Sequence, residues 1–110
     1  MKLPNHQNAY IDIRKLRDYC LDDKHPRGKN KAKVFKLTLG IDSEHEEEFK
    51  KSILKAIIDN ECKEGEGDFY GKRYTVDFIF RIFGKEGNIR TSWIVRKEED
   101  FPRLTSCYVK

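Results

Sequence analysis

Between His25 and Phe35 the chain reads His25-Pro26-Arg27-Gly28-Lys29-Asn30-Lys31-Ala32-Lys33-Val34-Phe35, an imidazole and a run of cations ahead of apolar Leu37 and Leu39. Proline is barred from a helix interior and glycine frees the backbone, so the stretch predicts a turn that opens a helix. A helix start offers unpaired N–H groups and the positive end of a dipole. Lysines added there make a resting place for a phosphate. A histidine can titrate near neutrality and serve as acid or base. Farther along, Arg90, Ser92, Arg96, Thr105, Ser106 and Tyr108 are polar residues that strands would expose. The planar fork of arginine suits phosphate better than a lone ammonium does. The plainer reading of the same residues is a solvated basic loop and ordinary surface side chains.

Other chemistries lack their residues. There is no GxGxxG, no Walker loop, no GxSxG and no paired Cys/His zinc spacing. Asp22-Asp23 and Glu46-Glu47-Glu48 are adjacent acids that do not face one another on a helix, so neither metal nor cofactor is expected. Cys20, Cys62 and Cys107 are odd in number and form no CxxC pair, which fits free thiols in a reducing cytoplasm. No apolar run approaches the roughly 20 residues that cross a bilayer, and no signal-peptide core is visible, so no membrane partner is expected. His45 reads as a solvated surface histidine and Trp93 as core rather than a base-stacking platform. Asp77 interrupts an aromatic strand and should pair with an arginine such as Arg90 or Arg81.

The elements that must position these residues are legible from periodicity. A chain of 110 residues makes one domain, 1–110. Asp12 is a fitting N-cap for a helix to about Leu21, with Ile13, Leu16 and Cys20 on one side. A second helix spans about 30–38 with Gly40 as its C-terminal glycine. Ser43 and Glu46 form a capping-box signature for a third, whose buried stripe is Phe49, Ile53, Ala56 and Ile57. Residues 59–72 read as a loop. Then the period falls to two: Tyr74, Val76, Phe78, Phe80 and Ile82 alternate as a strand. Residues 84–88 read as a hairpin loop, residues 89–96 as a second strand and 103–109 as a third, with a short extra strand near Phe69 as an option. The prediction is α+β: about three N-terminal helices packed on a C-terminal antiparallel meander of three to four strands.

Charge is blocked along the chain. Residues 1–40 carry 10 Lys/Arg against 4 Asp/Glu (+6), residues 41–70 carry 4 against 10 (−6), and residues 71–110 carry 9 against 5 (+4). If the basic ends meet, they make a positive face suited to nucleic acid or another polyanion. Otherwise acidic helix and basic sheet simply neutralise one another.

Several stretches carry a resemblance. Met1-Lys2-Leu3-Pro4-Asn5, Tyr10-Ile11-Asp12, Lys15-Leu16-Arg17-Asp18-Tyr19 and His25-Pro26-x-Gly28-x-x-Lys31-Ala32-x-Val34-Phe35 begin it. Tyr70-Gly71-x-x-Tyr74-x-Val76-Asp77-Phe78, Trp93-Ile94-Val95-Arg96 and the run from Asp100 to Val109 continue it. Together they resemble an uncharacterised family of small bacterial proteins known only as a domain of unknown function. That family brings no established activity. At the level of layout and short motifs, the chain is also similar to the ribonuclease-toxin fold of barnase, EndoU, colicin-type tRNases and RelE. Those domains set N-terminal helices before a sheet that carries the active residues, and the closing Thr105-Ser106-Cys107-Tyr108 looks like their last strand. Such enzymes often have a second histidine; here His6 and His45 stand at no matching place.

That second resemblance implies a metal-independent endoribonuclease acting by transesterification. His25 would act as base or acid, Lys31 and Arg90 would hold charge on the phosphate, and Tyr108 or Thr105 would position the scissile group. Lys29, Arg96, Arg103, Thr105 and Ser106 would bind substrate. RNA is the expected partner, beside a small acidic antitoxin- or immunity-like protein. The rivals are a non-catalytic protein-interaction module, in which His25 is a turn residue, and a nucleic-acid binder without chemistry.

Overall fold

The Asp12 carboxylate accepts the Arg14 N–H at 3.0 Å, the N-cap that its type and position predict. In the computed structural model, which describes residues 1–110, the helix it starts is not uniform. A single α-turn, α1 (Ile13–Lys15), passes directly into a π-helical turn over Leu16–Cys20, which corrects the expected regular helix. The wider turn closes with the Leu21 N–H on the Leu16 carbonyl at 2.9 Å and leaves Leu16, Cys20 and Leu21 all buried.

Helix α2 (Lys29–Leu39) buries Ala32, Phe35 and Leu39, three and four residues apart. Gly40, at φ 72°, ends it and returns its N–H to the Lys36 carbonyl at 2.9 Å. Helix α3 (Glu46–Asp59) buries Phe49, Ile53, Ala56 and Ile57, and its three first-turn glutamates favour the positive end of the dipole. Its cap differs from the expected Ser43/Glu46 box. Asp42 accepts from the Glu44 N–H at 3.0 Å, while His45 Nδ1 accepts from the Asp42 N–H at 3.1 Å, across a 3₁₀ turn, Ser43–His45. His45 is therefore a half-buried capping group with its ring 5.4 Å from that of Phe83, not a solvated one.

Four antiparallel strands follow in the spatial order β1-β2-β3-β4, so the fold is α+β: helices, then a meander. They are β1 (Cys62–Glu64), β2 (Gly71–Ile82), β3 (Lys85–Arg96) and β4 (Arg103–Val109). The extra strand lies at Cys62 rather than near Phe69. The expected five-residue hairpin loop shrinks to Phe83-Gly84, with φ of 52° and 72°, because Lys85 already pairs with Ile82. Two positive-φ residues in a row match the twist of a tight hairpin, although phenylalanine is an unusual choice for the first.

The helices cover one face of the sheet. Tyr74, Val76 and Phe78 of β2, Ile89, Thr91 and Trp93 of β3, and Leu104 and Cys107 of β4 join Leu16, Phe35, Phe49, Ile53 and Ile57 in the core. Thr91 is satisfied there: its hydroxyl donates to the Val76 carbonyl at 2.8 Å and accepts from the Trp93 indole N–H at 2.9 Å. The opposite face is polar and half-exposed, with Arg73, Thr75, Asp77, Arg90, Ser92, Ser106 and Tyr108 on it. A bulge in β4 sets this division: Ser92 pairs with Ser106 and Trp93 with Leu104, so Thr105 has no partner and the alternation shifts by one. The opening residues are more than a lead-in. Leu3 is buried, and Tyr10 pairs in parallel with Arg103, exchanging bonds with Pro102 and Leu104 along the edge of β4. No helix is long and apolar enough to cross a membrane.

Candidate functional site

The strand register puts Asp77 of β2, Arg90 of β3 and Tyr108 of β4 directly opposite one another, a polar row across the open face of the sheet. Arg90 donates two parallel bonds to Asp77, Nε to Oδ1 and Nη2 to Oδ2, both at 2.9 Å. Lys110 Nζ reaches the same carboxylate at 3.1 Å. Tyr108 stands opposite Arg90 in the register, and the carboxylate first, then the phenol, hold the guanidinium above its ordinary range. Asp77 is held below the usual carboxylate range by the Arg90 bond, against an opposing push from burial. Lys31 arrives from α2, its Nζ 4.7 Å from the centre of the Tyr108 ring. Two cations, Arg90 and Lys110, thus share the Asp77 carboxylate, and a third, Lys31, stands over the Tyr108 ring.

The stretch His25–Gly28 has a structural use of its own. His25 Nδ1 accepts the N–H groups of Arg27 at 3.0 Å and Gly28 at 3.1 Å, while its carbonyl accepts the Lys29 N–H at 2.9 Å. One turn ahead of α2, His25 thus plays the part of an N-cap with Pro26 in the first-turn place where proline is tolerated. With Nδ1 accepting, the neutral ring carries its proton on Nε2, so that atom donates. The ring packs edge-on against Tyr19 at 4.8 Å. Gly28 is required by the close approach of the two backbones, since a Cβ there would lie 2.4 Å from the Tyr19 carbonyl oxygen.

Of the residues predicted to do chemistry, Lys31, Arg90 and Tyr108 come together. His25 stands in the turn before α2, with Lys29 exposed on the first turn of the helix. Arg96, Arg103 and Thr105 form a separate group. They line a small cavity of about 140 Å³ with Tyr10, Asp12 and Lys15. Arg103 is committed there: it forks onto Glu99 at 2.8 and 2.6 Å, and its guanidinium lies 4.9 Å from the Tyr10 ring and 5.0 Å from that of Phe101. Arg96 reaches Glu99 more loosely, at 3.8 Å. Ser106, opposite Ser92, lies between the two groups on the sheet. Lys110 escaped sequence reasoning because nothing local ties a C-terminal lysine to Asp77. Glu99 was readable, three residues after Arg96 and four before Arg103.

Two further features bear on chemistry. Cys20, Cys62 and Cys107 are free and buried. Cys20 of the π-turn, together with burial, pushes the Cys107 thiol on β4 well above its usual range. No three His, Cys, Asp or Glu side chains converge as a metal-binding group. The family model described as Domain of unknown function (DUF6883) matches residues 2–110. The chain belongs to that family. No curated protein and no solved structure matches it. Membership in DUF6883 covers both the row on the sheet and the His25–Gly28 turn, and it assigns a role to neither.

Proposed function

We propose that this DUF6883 domain is a metal-independent endoribonuclease of the toxin type. One observation carries the reading: α2, β3 and β4 bring the cations Lys31 and Arg90 to Tyr108 beside the open sheet face. The reaction such a group can serve is transesterification. The ribose 2′-oxygen attacks the adjacent phosphorus and loses its proton, the P–O5′ bond breaks, and the 5′-oxygen takes up a proton. A 2′,3′-cyclic phosphate and a 5′-hydroxyl result. Lys31 and Arg90 hold the charge that builds on the phosphate oxygens, in place of a metal ion. Tyr108, beneath Lys31 and opposite Arg90, orients the scissile group. His25 supplies acid–base chemistry through Nε2. A small acidic protein of antitoxin or immunity type would fit over the same cations and silence them.

A second reading, binding without cleavage, draws on different bonds. Arg90 is already saturated on one edge by Asp77, and His25 Nδ1 is already used by the turn. The two readings part at His25→Asn. Asparagine ranks with the best N-caps, so the turn is retained while the imidazole is lost. Labelled tRNA and mRNA incubated with the protein in EDTA should be cut, leaving cyclic phosphate ends. Both His25→Asn and Lys31→Ala should slow cutting by about 100-fold or more. Wild-type protein that binds these RNAs but leaves them intact would establish the second reading instead.

A further inference from the structure

At the end of the sheet away from the hairpin, Phe69 and Tyr70 are 79% and 69% exposed, although they sit next to each other on a tightly held turn. Asp68 organises that turn. Its N–H donates to the Gly71 carbonyl at 3.0 Å, and its Oδ1 accepts from the Tyr70 and Gly71 N–H groups at 2.9 and 3.2 Å. Its other oxygen takes the Arg73 Nε at 2.9 Å, and the Tyr70 carbonyl accepts the Lys97 N–H at 3.2 Å. So much hydrogen bonding fixes the backbone that holds two large aromatic rings out in water, where neither contributes to the core. Their rings meet edge-on at 5.7 Å, and Lys97 Nζ lies over Phe69 at 4.8 Å. Lys72, Arg96 and Lys97 line the adjoining cleft.

We infer that this turn is a stacking platform for unpaired bases of single-stranded RNA, with Lys72, Arg96 and Lys97 taking the phosphates. Aromatic rings beside cations are the combination that holds a single strand, because every base offers a flat face and every linkage a charge. Duplex bases are already stacked and present no such face to the rings. Charge selects this occupant over an apolar or basic one. The platform also lies on a usable path: Arg90, Ser92 and Arg96 share the open face of β3, and six residues of strand separate the two arginines by about 20 Å. A strand several nucleotides long can therefore touch both the Tyr108 row and the platform. The inference rests on the RNA reading above and deepens it, from RNA to unpaired RNA.

The test uses the intact protein and a fluorescent 2′-O-methyl oligonucleotide, which cannot be cleaved, read by anisotropy. Phe69→Ala/Tyr70→Ala should bind the single strand about 10- to 100-fold more weakly than wild type. Its circular dichroism should be unchanged, since the turn is held by backbone and Asp68. A matching duplex should bind equally to both proteins. If wild type binds the single strand and the double variant binds equally well, the platform is wrong and the RNA reading stands. If wild type binds no oligonucleotide, both fall. If a polyglutamate peptide binds with the same dependence on Phe69 and Tyr70, the occupant is an acidic protein and the proposal is overturned.

Discussion

Gly71→Ala is expected to lose about 2–6 kcal/mol of stability, more than its single methyl group would suggest. Gly71 has φ of 153°, a region that L-residues avoid at a cost of about 1–3 kcal/mol. A Cβ there would also stand 2.1 Å from the Val95 carbonyl oxygen and 2.9 Å from the Arg96 Cα. Both are backbone atoms of the paired strand, so no side chain can swing aside, and relief requires the end of the β2–β3 ladder to part. Overpacking of this kind adds roughly another 1–3 kcal/mol. Gly84→Ala is the natural control, because it shares a positive φ but its added Cβ meets nothing. Urea unfolding should place Gly71→Ala far below Gly84→Ala; equal midpoints would refute the close approach.

The other large loss is expected at Trp93, the only tryptophan in the chain. It is 1% exposed, and truncation to alanine should cost about 3–5 kcal/mol. Part of that is the cavity. Another part is the polar chain that ends in the indole: removing its N–H leaves the Thr91 hydroxyl one partner short, inside a buried core. Trp93→Phe separates the two parts, since it keeps an aromatic ring and removes the donor. Denaturation followed by circular dichroism should rank wild type above Trp93→Phe and Trp93→Phe well above Trp93→Ala. A Trp93→Ala loss below 1 kcal/mol would mean that this residue is not the keystone of the sheet's covered face.

Much of the fold was legible because burial leaves a period. Phe49, Ile53 and Ile57 mark α3, and the alternation from Tyr74 to Ile82 marks β2, since each must turn one side to the core. The π-turn left no trace: Ile13, Leu16 and Cys20 suit a regular helix equally well. Nor did the bulge. Without an extra residue at Thr105, Leu104 and Cys107 would point to opposite faces, and the bulge is what puts both in the core. The candidate site was legible as residue types, and its grouping was not. Which of Arg90, Arg96 and Arg103 stands beside Tyr108 depends on register, a property of paired strands rather than of either strand alone. The capping use of His25 was hidden for a related reason. Histidine is not among the usual capping residues, so a ring nitrogen serving the backbone could not be told in advance from one kept for catalysis.

The Phe83-Gly84 turn has a consequence for the rate at which the chain finds its fold. It closes a hairpin of two 12-residue strands, whose pairs next to the turn are the most local in the sheet and the natural first step of a meander. A phenylalanine held at φ 52° raises the energy of that step by roughly 1–2 kcal/mol, and its ring, 62% exposed, recovers little beyond the contact with His45. Asparagine at position 83 would relieve the backbone where closure begins. Stopped-flow refolding of Phe83→Asn should run about fivefold faster than wild type with unfolding hardly altered, as for any group whose native surroundings form before the barrier. An unchanged refolding arm would place closure of this hairpin after the rate-limiting step.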